Sequence, residues 1–555
     1  MNLLYSVANT LIYLHIFAKM LAPFALGVAG FAAVTQENSR RFWLTICWFS
    51  LILFAVVFGG YNLIIQPQIP QSDPFPISDL FISFLFVCLG LSCWFCWLRS
   101  GHPWLNATTQ KLTKRSAAER NKKTDVREIE KFLPEASKPY DPQKYFDPVK
   151  GIFVGLDETK KPVFIKKSVF NECHLLLSGR SRIGKGVAAQ IILSQAIQQN
   201  DSVVILDPKM DSWMPSTFFG VCKNASKNYH FINLNQSFGH QINPLQGATE
   251  EELENVIISG YGIDEKGDIA DHYRLEDRAA ARQFAEYVAK NKGSTFASGF
   301  NALGENWIEK AKNFHSYMRE MGSLKSVNAK VGLNLEDFVK NGGCLYVVGD
   351  MSNSRILRAQ RMILLRLMFI AKNREFNADS RTITVFADEF KCHISKPFTT
   401  TLGAAAGWGM HCLLAFQSFA DLEDMPKDLD KNAVKGAVIE NTSISISYGI
   451  KDPVTADYIS DMTGEILVDD EQRRVTKNAA LAEIVNPERQ IRQATRNLFD
   501  RNMVMNMRKE TAIFCVAGEL TKAIHISKLH VNKTPEAIQI NEVEGDKIIA
   551  AQELI

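Results

Sequence analysis

Two stretches near the amino terminus restrict the architecture more than anything else in the chain. Phe42 to Ile65 is 24 residues without a charge, and Leu80 to Leu98 is a second uncharged run of 19. Each is close to the ~20 helical residues that the hydrocarbon core of a bilayer requires. A backbone in lipid must satisfy its own hydrogen bonds, so both are expected as membrane helices. Between them, Gln66 to Asp79 holds four prolines, two aspartates and no Lys or Arg. Arg40 and Arg41 precede the first run, and Arg99, Lys111, Lys114, Arg115, Arg120, Lys122 and Lys123 follow the second. The positive-inside rule then places the short loop outside and everything after Arg99 in the cytoplasm. Leu11 to Val34 is also apolar enough to span, though Lys19 and Pro23 interrupt it. A third span and an interfacial helix both satisfy the charge rule. The span is favoured, with the cost of Lys19 partly relieved by snorkelling. No basic start followed by a small-residue cleavage site marks a signal peptide.

The remainder reads as ordinary soluble protein. A chain of 555 residues exceeds what one core holds and is expected to form two to four units. Lys and Arg number 63 against 60 Asp and Glu, a formal charge of +3. That balance argues against general coating of nucleic acid but leaves a local basic channel open. The ten cysteines are scattered or lie in apolar runs, so no disulfide framework is expected, and a reducing compartment fits. Cys93 and Cys96 have metal-like spacing but no second pair or histidine nearby, and are read as membrane residues. Gly101 to Asp147 is polar, charged and proline-bearing. It reads as a linker whose basic residues meet anionic lipid heads rather than DNA.

Chemistry enters at His174-Leu-Leu-Leu-Ser178, a short buried-strand pattern preceded by a hairpin-like pair, Gly151–Leu156 and Pro162–Lys166. The strand runs into Gly179-Arg180-Ser181-Arg182-Ile183-Gly184-Lys185-Gly186, followed by an apolar-periodic helix from Val187 to about Ile197. Strand, glycine loop and helix in that order form the context of a phosphate-binding loop. Backbone N–H groups at a helix start favour phosphate oxygens, and glycines let the chain wrap them. Lys185 would bridge the β- and γ-phosphates of ATP. The usual motif ends in Ser or Thr, whose hydroxyl binds Mg²⁺, whereas Gly186 stands here. Downstream, Arg381-Thr-Ile-Thr-Val-Phe-Ala387 reads as a buried strand ending in Asp388 and Glu389. Asp388 is placed to hold Mg²⁺ or its waters, and Glu389 to orient and deprotonate an attacking water. A third strand, Met410–Phe416, ends at Gln417-Ser418. Gln417 is either a γ-phosphate sensor or a turn-capping glutamine.

In combination these elements resemble the type IV secretion coupling proteins, the TraG/TraD-type conjugation ATPases of the FtsK/HerA clan, from about Gly151 to Ser527. The residues that carry the resemblance are His174–Gly179, Gly184-Lys185-Gly186-Val187, Val203–Lys209, Ile242-Asn243-Pro244-Leu245, Ala387–Phe390, Phe416-Gln417-Ser418, Glu440-Asn441 with Ile444–Gly449, and Asp452–Gly464. Glycine after the lysine is the variant that TraG-like members use, so Gly186 fits the family. The resemblance implies an α/β RecA-like P-loop domain with an all-α insert and an amino-terminal membrane anchor. It divides the chain into an anchor (1–100), a juxtamembrane linker (101–147), a nucleotide-binding domain in two parts (148–246 and 342–531), a helical insert (247–341) and an acidic tail (532–555). The insert carries helical patterns at Leu253–Ser259, Arg274–Asn291, Trp307–Met321 and Leu335–Val339, with no strand-like alternation. It further implies ATP and Mg²⁺ as ligands, a homohexameric ring at the bacterial inner membrane, and a role pumping DNA, a relaxase nucleoprotein or an effector protein into a secretion channel. Gly179 to Val187 would hold ATP. Family members often carry a trans-acting arginine before the Gln-ending strand; Ala404–Gly409 has no basic residue, leaving Arg473, Arg474, Arg492 or Arg496. A chromosome-segregating DNA pump, or a nucleotide-bound docking scaffold without turnover, stand as alternatives.

Overall fold

The computed structural model describes residues 2–36, 39–60, 77–112, 125–127, 129–236, 239–265, 267, 271–377, 379–423 and 429–540. Most of the proline-bearing loop between the two uncharged runs, and most of the acidic tail, lie outside those residues. The chain divides into two compact units, Met1–Asn121 with Leu467–Ala494, and Lys122–Ile466 with Thr495–Ile555.

The first unit is built on three helices, α1 (Asn2–Thr35), α2 (Arg40–Gly60) and α3 (Ile77–Cys96). All three contain windows long and apolar enough to cross a membrane. Their outward faces carry residues such as Trp48, Phe49, Phe81 and Phe84, each more than 60% exposed, as a lipid-facing surface requires. α1 crosses α3 where Gly27 and Gly90 meet, and a Cβ on either glycine would collide with a carbonyl oxygen of the facing helix. Small residues at a crossing let two backbones approach closely, the usual way helices associate in lipid. Lys19 does not rely on snorkelling: its ammonium is paired with Asp79 at the start of α3. A neighbouring carboxylate neutralises the lysine in place, which sequence adjacency could not reveal because the partners are 60 residues apart. The same unit contains most of a long hairpin, β10 (Glu465–Lys477) with β11 (Glu483–Asn497), from Leu467 to Ala494. Its tip meets the end of the third apolar helix, where Asn478 Nδ2 donates to Leu98 O at 2.5 Å and Arg99 Nη1 donates to Ala480 O at 3.3 Å.

The second unit is organised by an 11-stranded sheet in the order β2-β1-β13-β12-β9-β3-β8-β7-β4-β6-β5. The strands are β1 (Ile152–Asp157), β2 (Pro162–Ile165), β3 (Leu175–Ser178), β4 (Ser202–Asp207), β5 (Tyr229–Asn233), β6 (Gly343–Val348), β7 (Ile383–Ala387), β8 (Met410–Phe416), β9 (Ile444–Ser447), β12 (Thr511–Val516) and β13 (Lys522–His525). From β9 to β5 every pairing is parallel. On the other side of β9, strands β12, β13, β1 and β2 pair antiparallel. The central strands are buried on both faces, which is why they read as apolar runs rather than alternating ones. Val203 and Ile205 of β4 join one apolar cluster with Ile191 and Ile192 of α4 (Lys185–Gln198). Val204 and Leu206 point to the opposite face and join a second cluster that includes Phe284, Trp307 and Phe314.

Those aromatic residues belong to the helical region α5 (Glu250–Tyr261), α6 (Asp271–Lys290), α7 (Phe296–Leu303), α8 (Lys312–Gly322) and α9 (Leu335–Asn341), which precedes α10 (Ser354–Asn373). A capping box starts α5: Glu252 N donates to Thr249 Oγ1 and Thr249 N donates to Glu252 Oε2. The Glu252 carboxylate is tied to α10 by Arg366 Nη1 at 3.0 Å and by Asn373 Nδ2 at 2.6 Å. Arg366 is fully buried, so this ion pair joins helical insert and α/β domain away from water.

Candidate nucleotide site

Four strand ends of the parallel sheet, β3, β8, β7 and β4, lie side by side, and the loop that follows each carries one sequence-predicted group or a polar neighbour. The carboxyl edge of such a sheet is where α/β proteins bind ligands. Gly179 to Gly184 follows β3, Gln417 follows β8, Asp388 and Glu389 follow β7, and Asp207 with Lys209 closes β4.

The loop after β3 has φ of +143° at Gly179 and +139° at Gly184, backbone open only to glycine. Tyr448, directly after β9, explains the second reason for glycine at both positions. A Cβ at Gly179 would sit 2.7 Å from Tyr448 Cβ, and one at Gly184 would sit 2.8 Å from Tyr448 Cε1. Tyr448 N donates to Ser178 O at 2.9 Å, which locks the ring beside the loop. The ring is fully buried and its hydroxyl has no hydrogen-bond partner among the described residues. Gly186 differs: its φ is ordinary for any residue, and a Cβ there meets only the flexible Met214 Cε, at 3.1 Å. Arg180, Ser181 and Arg182 are exposed, Ile183 is buried and Val187 half-buried. The amide of Arg180 donates to Gly449 O, and that of Val187 to Gly184 O.

Lys185 is buried and its ammonium folds back on Gly179 O. Burial holds its pKa below the ordinary lysine value, with the nearby Glu389 and Asp388 pulling the other way. Asp388 is pushed up to about 6, chiefly by burial, while the Lys209 ammonium opposes the shift. Glu389 is buried too, yet the hydrogen bond and charge of Lys209 outweigh that burial and hold its carboxyl below the usual range. Lys209 Nζ is bonded to Glu389 Oε1 and lies 3.8 Å from Asp388 Oδ2. Burial works against the Lys209 charge, but the two carboxylates overcome it and raise its pKa. Gln417 Nε2 also donates to Glu389 Oε1, at 3.2 Å, and Gln417 N donates to Asp421 Oδ2 at 2.8 Å. The other Glu389 oxygen, Oε2, is buried with no partner among the described residues. Asp207 is consumed structurally: it accepts from the amides of Lys209, Met210 and Asp211 and from the Tyr346 hydroxyl. Three non-glycine residues with positive φ, Arg182, Met210 and Glu389, sit on these loops. Strained backbone of this kind concentrates at functional sites.

The structure thus brings Lys185, Asp388, Glu389 and Gln417 together. Three of the four candidate arginines belong to the other of the two units. Arg473, Arg474 and Arg492 stand on the hairpin β10–β11, in the unit of apolar helices. Arg496 has its Nε and Nη1 buried, so its guanidinium is turned into the protein. Tyr448 and Lys209 were missed as site residues. No local pattern marks Tyr448; Lys209 is visible only as the end of the Asp-Pro-Lys run after a buried strand.

Residues 310–542 match the family model described as type IV secretory system conjugative DNA transfer. Mobilization protein A of Escherichia coli is 24% identical over 327 residues, covering 58% of this chain. The conjugative coupling protein TrwBΔN70 superposes with a TM-score of 0.53 at 14% identity, covering 73% of this chain and 97% of that one. In sequence and in fold the chain is similar to the type IV coupling proteins. Structures of TrwB with the ATP analogue ADPNP and with ADP and Mg²⁺ align at TM-scores of 0.53 and 0.52, at 14% and 13% identity. The match to Mobilization protein A spans 60% of that relative's length.

Proposed function

We propose that this coupling-protein relative is a membrane-anchored P-loop ATPase of the bacterial inner membrane that moves DNA, a relaxase nucleoprotein or an effector protein into a type IV secretion channel. The observation that carries the reading is the meeting of the Lys185 ammonium, the Asp388–Glu389 pair and the Gln417 amide at adjoining strand ends. The unpartnered Glu389 Oε2 and the glycine cradle against Tyr448 fit a ligand with phosphate oxygens and a water to be activated. TrwB structures that hold ADPNP, or ADP with Mg²⁺, on the same fold support the choice of nucleotide.

The roles follow from chemistry. Lys185 and the loop amides bind phosphate oxygens. Asp388 would hold Mg²⁺, and one or two protein carboxylates suffice for that ion when phosphates and water complete its shell. When bound, Mg²⁺ would neutralise charge on the phosphates. Glu389, whose carboxyl is held below the usual range in the nucleotide-free protein, accepts the proton of the attacking water through Oε2. Gln417, anchored through its backbone to Asp421, orients Glu389. A homohexameric ring would let neighbouring copies complete each site.

Lys185→Ala is expected to lose nucleotide binding. Glu389→Gln is expected to keep binding but lose hydrolysis, with both proteins inserting normally into membranes. Normal ATP turnover by either purified variant would contradict the reading. Mating assays of plasmid transfer, against secretion assays of effectors, separate the cargo classes.

A further inference from the structure

Lys209 occupies an unusual position for a lysine beside a phosphate-binding loop. Its ammonium lies against two acidic groups, bonded to Glu389 Oε1 and 3.8 Å from Asp388 Oδ2. Among the described residues it is the one ion-pair partner of either carboxylate. Adjacent carboxylates with little water around them repel one another strongly and require a cation. Lys185 is turned away to Gly179 O, so the task falls to Lys209. The backbone of Lys209 is pinned by its amide donating to Asp207 Oδ1 at 2.9 Å, while the side chain remains 41% exposed. The base of the residue is thus fixed and its head is free to leave. Gln417 stays behind as a donor to Glu389 Oε1, so departure of the ammonium does not strip Glu389 of its orientation.

We propose that Lys209 is the resident counter-ion of the carboxylate pair, standing between Asp388 and Glu389 where a divalent cation would stand and leaving when that cation arrives with nucleotide. An ammonium and a divalent cation against the same two oxygens repel, so only one holds the place. The device suppresses divalent binding without nucleotide and keeps Glu389 tied up until Asp388 has exchanged partners. This inference rests on the nucleotide-site reading of the same residues, yet it concerns the empty site and is read without turnover.

The test uses the full-length chain in detergent and Mn²⁺ alone as probe, followed by electron paramagnetic resonance. Lys209→Met is expected to bind Mn²⁺ about tenfold or more tightly than the wild type in the absence of nucleotide. Equal Mn²⁺ affinity in the two folded proteins overturns the proposal. A second measurement needs no variant: acetylation of Lys209 by a small anhydride, followed by mass spectrometry. Lys209 is expected to react faster when Mg²⁺ and a non-hydrolysable ATP analogue are present than in the empty protein, and unchanged or slower reaction overturns the proposal. Binding of that analogue by the wild type is measured in parallel. Its absence would sink the nucleotide-site reading itself, whereas normal analogue binding with an indifferent Lys209 sinks only the counter-ion.

Discussion

Gly184→Ala tests the glycine loop most directly, because its cost has two separable parts. The first is backbone: Gly184 has φ of +139° and ψ of 0°, where a residue with a Cβ costs about 1–3 kcal/mol. The second is contact: the new methyl would lie 2.8 Å from Tyr448 Cε1 and 3.2 Å from its Cζ, and overpacking of this kind costs about 1–3 kcal/mol. The loop is a short surface connection, so it escapes by abandoning the cradled conformation. The cost therefore appears as lost affinity for phosphate rather than as unfolding. A loss of about 2 kcal/mol corresponds to about 30-fold weaker binding. Titration with a fluorescent ATP analogue and Mg²⁺ measures it. The double variant with Tyr448→Ala removes the clash but not the φ requirement, so binding should recover in part, with a coupling of about 1–2 kcal/mol. Binding by Gly184→Ala within about threefold of wild type, less than 1 kcal/mol, would refute the reasoning. Complete recovery in the double variant would refute the backbone part, and no recovery the contact part.

Gly186→Ser should be tolerated, because φ there is ordinary and only the flexible Met214 Cε must yield; the same titration should give affinity equal to or above wild type. Asp388, held up to about 6 by burial, must be ionised to bind a cation, so Mg²⁺-dependent nucleotide binding should weaken as pH falls from 7 to 5. Its own contribution to folding has the opposite sign, since a raised carboxyl pKa adds stability at low pH that is lost as pH rises from about 4 to 6. Binding by Asp388→Asn should be weak and flat with pH. Arg366→Met leaves the Glu252 carboxylate buried without its cation, at about 3–5 kcal/mol; limited proteolysis should then cut within α5–α9, and adding Glu252→Gln should restore much of the resistance.

Much of the architecture was legible because it is written in short-range physics. An uncharged run announces a long apolar helix by length alone, and Leu11–Val34, read as a span in preference to an interfacial helix, lies in a helix long and apolar enough to cross a membrane. Buried parallel strands show as apolar runs, and the turn chemistry after them marks Gly179–Gly186, Asp388 and Gln417 without knowledge of what lies opposite. The hairpin β10–β11 was not legible: Glu465–Lys477 and Glu483–Asn497 are rich in charge and lack regular apolar alternation, and the reading took from them only candidate arginines.

Apart from the hairpin β10–β11, the sequence by itself determined which segments become helix, strand or phosphate loop, since those preferences are set by neighbours a few residues away. Only the tertiary structure decided the partners. Lys19 found Asp79, Arg366 found Glu252, Lys209 found Glu389, and Tyr448 settled against Gly179 and Gly184. Each pair is separated by between 60 and about 270 residues of chain. Charges and rings of these kinds are common everywhere in a sequence, and their meaning appears only when burial removes water and leaves one partner within reach.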